Sequence, residues 1–255
     1  MANEFDAVVV GGGPCGSFSA FTAAKLGAKV AVCEEHESIG IPTHCTGHLN
    51  LNGLRRLGLH PLPNNIVENE FRGVTFYSPS GKKFSIRFNS PVTCAVNRGL
   101  FDKYLADLSI RAGVEYHLGS RVESPILEKG SVKGVVVNCR DFKETLFSKI
   151  VIDAEGVSSV ILKKVGLQSF DRSMVVNAVH VEIDKVDDVE SDLVEVYLGE
   201  KYAPGFFTWL IPKRDGTAKV GLATNIWNPK RYLHKFLHNH PIASPKLSKS
   251  KILSQ

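Results

Sequence analysis

The segment from Asp6 to Gly16 (DAVVVGGGPCG) places an apolar strand directly before a glycine-rich turn and the start of a helix. In such a segment, Gly11 permits the tight turn, Gly13 lets the backbone approach a pyrophosphate, and Gly16 lets the helix pack closely on the strand. The phosphates of a dinucleotide then lie at the helix N-terminus. The residues expected to bind the pyrophosphate are Gly11, Gly13, Pro14, Cys15 and Gly16.

The rest of a βαβ unit follows in order. The pattern predicts a helix over 17–26 and a strand over 29–33, and Glu34 then stands at the offset of about 20 residues expected of an acid that binds the ribose 2′-hydroxyl. We prefer Glu34 to Glu35 because it ends the apolar run, whereas Glu35 is expected to face solvent. An acid here repels a 2′-phosphate, which favours FAD or NAD over NADP. A glycine turn in another kind of α/β protein is the alternative.

Two later segments favour a flavin. Residues 97–106 (NRGLFDKYLA) predict an amphipathic helix that opens with Arg98, and residues 150–159 (IVIDAEGVSS) predict a buried strand that runs into a second glycine turn. This spacing resembles the p-hydroxybenzoate hydroxylase-like superfamily of flavoprotein hydroxylases and reductases. The resemblance implies that FAD is bound in an extended pose. Taken alone, Arg98 is also compatible with a surface or helix-capping charge.

The same resemblance assigns roles to individual residues. Arg98 is expected to reach toward the flavin side of the cofactor, and the backbone of Val122 is expected to contact the adenine. The Asp-Gly pair of the superfamily is matched by Glu155 and Gly156, and Asp153 is expected to share its role.

Two further segments resemble the geranylgeranyl reductase family. Residues 40–47 (GIPTHCTG) match its Pro-x-x-Cys-x-Gly loop, and residues 204–213 (PGFFTWLIPK) match its Pro-Gly and Tyr-x-Trp-x-Phe-Pro segment. The chain departs from that family at Phe207 and Ile211, where Tyr and Phe are usual, and at His48, where a small residue is usual. The resemblance covers most of the chain and is strongest to archaeal enzymes that saturate digeranylgeranylglycerophospholipids.

The resemblance implies an FAD-dependent oxidoreductase that reduces C=C bonds of geranylgeranyl chains in isoprenoid lipids. An isolated alkene needs a hydride on one carbon and a proton on the other, so the protein must hold an apolar chain against the flavin and exclude water. Phe207 and Trp209 alternate along one strand and are expected to line the substrate channel. Cys45 is expected to lie near the flavin and to support protonation, with Thr46 and Gly47 beside the cofactor. The competing interpretations are ordinary sheet core for the two aromatic residues and a small buried hydrophobe for Cys45.

The predicted fold is α/β, with a Rossmann-like FAD-binding domain interleaved with a mainly antiparallel β domain on the substrate side. A predicted hairpin and four long strands after residue 174 favour the antiparallel sheet. The expected division is 1–70 and 90–170 for the FAD-binding domain, 71–89 and 171–228 for the substrate domain, and 229–255 for a basic C-terminal helix or tail.

Positive charge is concentrated at the C-terminal end. The chain of 255 residues has a net charge of +5, but residues 229–255 contain six basic residues and no acid, so residues 1–228 carry −1. A helix there is expected either to contact an anionic membrane surface or to pack on the substrate domain. Its predicted apolar face consists of Tyr232, Leu233, Phe236 and Leu237.

Composition gives further expectations. His234 and His238 have the i,i+4 spacing of metal ligands but lack a third ligand in the pattern, and the five cysteines lack CxxC spacing, so we expect no metal site. The sequence contains neither a signal peptide nor an apolar span of about 20 residues. We therefore expect a cytoplasmic enzyme, with peripheral contact at the inner face of the cell membrane as an option.

The expected partners are a prenylated lipid and an electron donor, either NAD(P)H or a ferredoxin-like protein, and no nucleic acid. An FAD-dependent aromatic hydroxylase (monooxygenase) of the same superfamily is one alternative. The other is a non-catalytic flavin-binding fragment, because the superfamily's third cofactor motif, a strand ending in Gly-Asp, does not occur in the sequence. On this basis the chain is expected to be the N-terminal part of a longer protein and to bind FAD weakly by itself.

Overall fold

The computed structural model describes residues 4–140, 142–168 and 171–254. These residues divide into two compact units. Unit 1 comprises Met1–His44 and Arg98–Phe170, and unit 2 comprises Cys45–Asn97 and Asp171–Gln255.

The secondary structure of the described residues is mixed. The strands are β1 (Glu4–Val10), β2 (Val30–Cys33), β3 (His48–Asn50), β4 (Val67–Phe71), β5 (Gly73–Tyr77), β6 (Lys83–Arg87), β7 (Thr93–Val96), β8 (Glu115–His117), β9 (Ser120–Glu128), β10 (Ser131–Cys139), β11 (Phe142–Asp153), β12 (Asn177–Ile183), β13 (Leu193–Leu198), β14 (Phe207–Pro212), β15 (Ala218–Thr224) and β16 (Ile252–Ser254). The α-helices are α1 (Pro14–Lys25), α2 (Leu51–Arg56), α3 (Arg98–Arg111), α4 (Val160–Lys164), α5 (Pro229–Asn239) and α6 (Ala243–Leu247), and 3₁₀ turns cover Gly156–Ser158 and Arg172–Met174.

Unit 1 is built on a six-stranded sheet in the order β8-β2-β1-β11-β10-β9. The pairs β8-β2, β2-β1 and β1-β11 are parallel, whereas β11-β10 and β10-β9 are antiparallel. β1 ends in the apolar run AVVV and β2 consists of VAVC, because a parallel strand is covered on both faces. Val8, Val9 and Val32 are accordingly 0% exposed. The predicted α/β class with an FAD-binding domain is confirmed.

Unit 2 contains a seven-stranded sheet in the order β16-β12-β15-β14-β13-β5-β6 and a three-stranded sheet in the order β3-β7-β4. Every pair is antiparallel except β13-β5. The predicted hairpin of residues 71–89 is present as β5 and β6, and Gly81 at its turn has a φ of +85°. The predicted mainly antiparallel domain is confirmed.

The observed units differ from the predicted division. Residues 45–70 and 90–97, which the sequence assigned to the FAD-binding domain, lie in unit 2. The reason is strand pairing: β3 and β4 both pair with β7, and this small sheet packs on the large one through Phe71 and Ala95, which are 0% exposed. Residues 229–255 also belong to unit 2 instead of forming a separate tail.

The apolar face of helix α5 packs into the core of unit 2. Leu233 and Phe236 are 2% and 0% exposed, within the core of unit 2, and Tyr232 and Leu237 are partly buried against the same core. Of the two roles that the sequence left open, the structure shows packing on the substrate-side sheet. A side chain buried in this core is not available to lipid.

Across residues 4–140, 142–168 and 171–254, we find no helix with both the length and the apolar character needed to span a membrane.

Candidate functional site

The turn between β1 and α1 uses its glycines in two ways. Gly11 has a φ of +97°, and a Cβ there would lie 2.5 Å from the carbonyl oxygen of Ala154. A Cβ on Gly16 would lie 1.9 Å from the carbonyl oxygen of Gly11. At Gly13, by contrast, a Cβ would meet no protein atom within 4 Å. The protein itself therefore requires glycine at 11 and 16, whereas the space in front of Gly13 is open.

The N-terminus of α1 opens onto this space. Its N-cap is Gly13, which offers no side chain to the N–H groups of the first turn, and Pro14 occupies the first helical position. The first turn contains no acidic residue. Uncapped N–H groups and the positive end of the helix dipole together attract an anion. The geometry therefore fits the pyrophosphate of a dinucleotide.

Glu34 lies against the same turn. Its Oε2 accepts a hydrogen bond of 2.7 Å from the backbone N–H of Gly12, and its Oε1 accepts one of 2.9 Å from the backbone N–H of His36. The side chain is only 12% exposed. Glu35 is exposed, and its carboxylate lies 3.7 Å from Nε of Arg121. Of the two acids, the structure brings Glu34 and not Glu35 to the glycine turn.

The second glycine turn meets the first one. The backbone N–H of Ala154, just after β11, donates a 2.9 Å hydrogen bond to the last carbonyl of β1. The carboxylate of Glu155 accepts a 2.7 Å hydrogen bond from an N–H in the first turn of α4, so this side chain supports a helix start. Asp153 accepts a 3.1 Å hydrogen bond from the N–H of Glu155, and burial raises the pKa of its carboxyl group. Gly156 has a φ of +66° with open space where a Cβ would lie.

Arg98 begins α3 and is held by its own helix. Its guanidinium donates two hydrogen bonds of 2.9 Å to the carboxylate of Asp102, one turn further along. The two side chains are 16% and 12% exposed. The loop at Gly40 packs on this helix start, since a Cβ there would lie 2.6 Å from the carbonyl oxygen of Gly99. Arg98 is thus mostly buried and paired with an acid of its own helix, and this side-chain pair is not a cap of the helix end.

Val122 lies on β9, the edge strand of the unit 1 sheet. Its side chain is 8% exposed and belongs to a core cluster with Val8 and Cys33. On one side the strand pairs with β10. An edge strand keeps a second row of backbone groups outside the ladder.

The Cys45 loop is anchored in unit 2. Cys45 is exposed, which makes the interpretation as a small buried hydrophobe wrong. Thr46 is 9% exposed, and its carbonyl oxygen accepts a 3.0 Å hydrogen bond from Nζ of Lys219. Gly47 accepts a 2.8 Å hydrogen bond from the N–H of Val96 on β7. The residues that follow the cysteine are therefore fixed while the thiol remains accessible.

Lys219 is a residue that the sequence reasoning missed. It lies on β15, is 7% exposed, and donates 3.0 Å hydrogen bonds to the carbonyl oxygens of Thr46 and Val96. Its amine also forms an ion pair with Glu68. A lysine is almost never this buried unless it is paired. The available signal was a lysine inside the run AKVGLAT, whose seven residues are all buried.

Phe207 and Trp209 share one face of β14, as predicted. Their ring centroids are 6.1 Å apart with an interplanar angle of 72°. Both are partly buried and pack against the cluster that contains Phe71 and Val196, so they also have the core character that the sequence left open. The indole lies on Gly221, where a Cβ would be 2.6 Å from a ring carbon. Its Nε1 is buried and has no hydrogen-bond partner among the described residues.

The predicted site residues thus form two groups. The first lies in unit 1 and contains the glycine turn, Glu34, Arg98, Val122 and the second glycine turn. The second lies in unit 2 and contains the loop 45–47 with the aromatic pair on β14. On α5, the rings of His234 and His238 are 4.4 Å apart, and no group of three metal-ligating side chains is found within the described ranges.

Comparison with known proteins identifies the fold. A family model described as FAD binding domain matches residues 4–234. The crystal structure of a geranylgeranyl bacteriochlorophyll reductase-like protein from Thermoplasma acidophilum superposes with a TM-score of 0.91 and 31% identity, covering 100% of this chain and 65% of that one. The flavin-dependent brominase Bmp2 superposes with a TM-score of 0.81 at 20% identity, which shows the fold alone.

Curated relatives are named as reductases. The digeranylgeranylglycerophospholipid reductase 2 of Methanopyrus kandleri is 31% identical over 247 residues, and the digeranylgeranylglycerophospholipid reductase of Methanocaldococcus jannaschii is 33% identical over 243 residues. Each alignment covers 94% of this chain and 61% of the relative, so the chain spans about three fifths of the relatives' length. The chain belongs to the FAD-binding-domain family, and its cofactor is FAD.

Proposed function

We propose that the chain is part of an FAD-dependent oxidoreductase that reduces the C=C bonds of geranylgeranyl chains in isoprenoid lipids. The observation that carries the proposal is the identity of 31% and 33% with named reductases, which extends over 94% of the chain and therefore over both units. The apolar, partly buried pair Phe207 and Trp209 supports it, because a prenyl chain offers a protein only apolar surface.

FAD is proposed to bind by its adenosine half at the glycine turn of unit 1. The pyrophosphate would lie in the open space at Gly13, at the uncapped N-terminus of α1. Glu34 would bind the ribose, and the edge backbone at Val122 would bind the adenine. The residues proposed to contact FAD in unit 1 are Gly11, Gly13, Pro14, Cys15, Gly16, Glu34, Arg98, Val122, Asp153, Glu155 and Gly156. Those proposed in unit 2 are Cys45, Thr46 and Gly47.

The chemistry needs a hydride and a proton for each double bond. Reduced FAD supplies the hydride when it is bound. Phe207 and Trp209 hold the alkene in an apolar environment and keep water away from it. The exposed thiol of Cys45 holds the proton that is transferred to the second carbon. Thr46 and Gly47, fixed by Lys219 and Val96, position that thiol.

The electron donor is proposed to be NAD(P)H or a ferredoxin-like protein. The enzyme would work on the cytoplasmic side and meet its lipid at the membrane surface. Reduced flavin that persists in air would separate this reductase from an oxygen-activating hydroxylase of the same fold.

The test is turnover by the isolated protein with FAD. Protein reduced under anaerobic conditions is mixed with detergent-dispersed digeranylgeranylglycerophospholipid, and mass spectrometry follows the gain of two hydrogens per double bond. We expect Cys45→Ser to slow reduction and Trp209→Ala to impair long-chain substrates, with FAD content unchanged in both. The matched controls are Cys139→Ser and Trp227→Ala, the latter at a tryptophan that is 86% exposed. Full activity in both test variants would favour the plain structural roles.

A further inference from the structure

An apolar row crosses the large sheet of unit 2. Strand register places Phe84 on β6 opposite Phe76 on β5, Phe76 opposite Val196 on β13, and Val196 opposite Trp209 on β14. Cross-strand partners share a face, so these side chains form one row that spans about 14 Å at the usual spacing of strands. The Phe76 and Phe84 rings are stacked at 5.1 Å. The row therefore leads from the proposed prenyl site to the edge of the sheet.

The outer end of the row is exposed. β6 is the edge strand, and all five of its residues are exposed. Phe84, Ile86 and the following Phe88 recur at every second position and are 60%, 45% and 50% exposed. Alternate residues of a strand point to the same side, so three large apolar side chains form one exposed apolar face. Such a face on a protein surface usually marks an interaction site.

The charges beside this face have a small positive excess, since Lys82, Lys83 and Arg87 outnumber Glu190 and Asp192 by one. Lys82 and Lys83 are exposed at the start of β6, and we find no ion pair to either among residues 4–140, 142–168 and 171–254. Arg87, further along, pairs with two acids, Glu190 and Asp192, the latter at 2.7 Å, so this end of the strand carries one negative charge. Two unpaired lysines next to exposed phenylalanine and isoleucine resemble the arrangement by which peripheral proteins bind anionic bilayers.

We infer that the apolar face of β6, together with Lys82 and Lys83, docks the protein on an anionic lipid bilayer. The inference rests on the proposed function, which supplies a substrate that resides in a membrane. Phe84, Ile86 and Phe88 enter the acyl boundary. By the same alternation Lys83 lies on the opposite side of the strand, so its long side chain reaches lipid phosphates around the open edge, and Lys82 binds them beside the turn. A prenyl chain that leaves the bilayer at this face contacts only the apolar side chains of the row between Phe84 and Trp209.

A second copy of the chain is the competing occupant, since an exposed edge strand can pair with another strand. Such pairing would use the backbone edge of β6 and would leave the face of Phe84, Ile86 and Phe88 uncovered, because strand side chains stand perpendicular to the sheet. A lipid surface instead covers that face, and its anionic headgroups are complementary to Lys82 and Lys83.

The test measures binding of the purified 255-residue chain to vesicles of phosphatidylcholine alone or mixed in equal parts with phosphatidylglycerol, by flotation. The variant Phe84→Ser/Ile86→Ser should lower partition into the mixed vesicles by about tenfold or more, because two apolar side chains no longer enter the bilayer. The matched control, Phe142→Ser/Leu127→Ser, replaces residues that are 61% and 51% exposed in unit 1, and should bind like the unchanged chain.

Lys82→Gln/Lys83→Gln should lower binding by about fivefold per lysine in the mixed vesicles and leave binding to phosphatidylcholine unchanged. The control Lys133→Gln/Lys163→Gln removes two exposed lysines of unit 1 and should have little effect. Thermal unfolding verifies that each variant is folded.

The inference would be overturned if the unchanged chain did not bind the mixed vesicles. It would also be overturned if the Phe84/Ile86 variant and its control lost vesicle binding to the same extent. Sedimentation showing a dimer that Phe84→Ser/Ile86→Ser dissociates would assign the face to a second copy instead. Vesicle binding requires no FAD, electron donor or turnover, whereas the reductase test uses dispersed substrate. The docking surface and the proposed reaction can therefore fail separately.

Discussion

Gly13 and Gly16 lie three residues apart and are glycines for different physical reasons. At Gly16 a Cβ would overlap the carbonyl oxygen of Gly11, so the helix could not approach the strand. At Gly13 the backbone has an ordinary φ of −65° and the space beyond it is free of protein atoms. Folding therefore requires glycine at position 16, and we attribute the glycine at position 13 to the cofactor.

The variants Gly13→Ala and Gly16→Ala should therefore separate the two requirements. Gly13→Ala should change the free energy of unfolding by no more than about 1 kcal/mol, the scale of a helix N-cap change, yet weaken FAD binding at least tenfold. Gly16→Ala should destabilise the protein by about 3 kcal/mol or more because of steric overlap. Chemical denaturation and FAD titration by fluorescence measure the two effects. Tight FAD binding by Gly13→Ala would contradict the assignment of the pyrophosphate site.

Glu34→Arg should also weaken FAD binding, because it replaces a hydroxyl acceptor at the glycine turn with a cation. Glu35→Arg is the matched control, since Glu35 is the exposed neighbour. FAD titration of both variants decides between the two acids. Equal affinity in the two variants would remove the ribose role of Glu34.

Lys219 acts on Cys45 through the backbone of the next residue. Lys219→Met should free the carbonyl oxygen of Thr46 and increase the rate at which iodoacetamide alkylates Cys45, by about fivefold, the scale of one lost hydrogen bond. The exposed Cys15 of unit 1 is an internal control whose rate should not change. Lys219→Arg should restore much of the slow rate, because it keeps a donor. Peptide-resolved mass spectrometry measures both cysteines, and equal rates in all three proteins would refute a positioning role.

The position of helix α5 depends on the surface that buries its apolar face. Its sequence predicts a helix with an apolar face, and both are present, but periodicity alone does not identify the surface that buries that face. The structure supplies the large sheet of unit 2 as that surface. The C-cap of the helix is His240, which is 5% exposed. Its ring makes a T-shaped contact with Tyr197 at 5.0 Å and a tilted contact with Tyr202 at 4.7 Å.

His240 should make stability depend on pH. Burial lowers its pKa to about 4, and its Nδ1 accepts a 3.1 Å hydrogen bond from the N–H of Ala243, which requires a neutral ring. The unfolded chain takes up a proton near pH 6.5, whereas the folded one does so near pH 4. The contribution of His240 to the free energy of unfolding is therefore complete above about pH 6.5 and falls by up to about 3 kcal/mol as the pH approaches 4.

The variant His240→Asn keeps an acceptor and removes this titration, so its stability should fall less steeply between those pH values. His238→Gln, at an exposed position of the same helix, should retain the slope of the unchanged protein. Chemical denaturation at a series of pH values measures the slopes. Parallel profiles for all three proteins would contradict the role of His240.

For the molecule as a whole, local sequence patterns predicted the individual helices and strands better than they predicted the division of those elements into two units. The glycine turn and the βαβ order follow from contacts within about 30 residues, and the sequence predicted them. The placement of residues 45–70 was missed because it depends on pairing β3 and β4 with β7, which comes later in the chain. Lys219 was missed for a similar reason, since its partners Thr46 and Val96 are 173 and 123 residues away.

Under the proposed function, flavin bound by this protein passes a hydride to a prenyl double bond. The flavin absorbance of the reduced FAD complex is followed after mixing, without oxygen, with digeranylgeranylglycerophospholipid or with its fully saturated counterpart. We predict that the unsaturated lipid reoxidises the flavin in proportion to its double bonds and that the saturated lipid leaves it reduced. If the flavin stays reduced with both lipids until oxygen is admitted, the protein does not transfer a hydride to the prenyl chain.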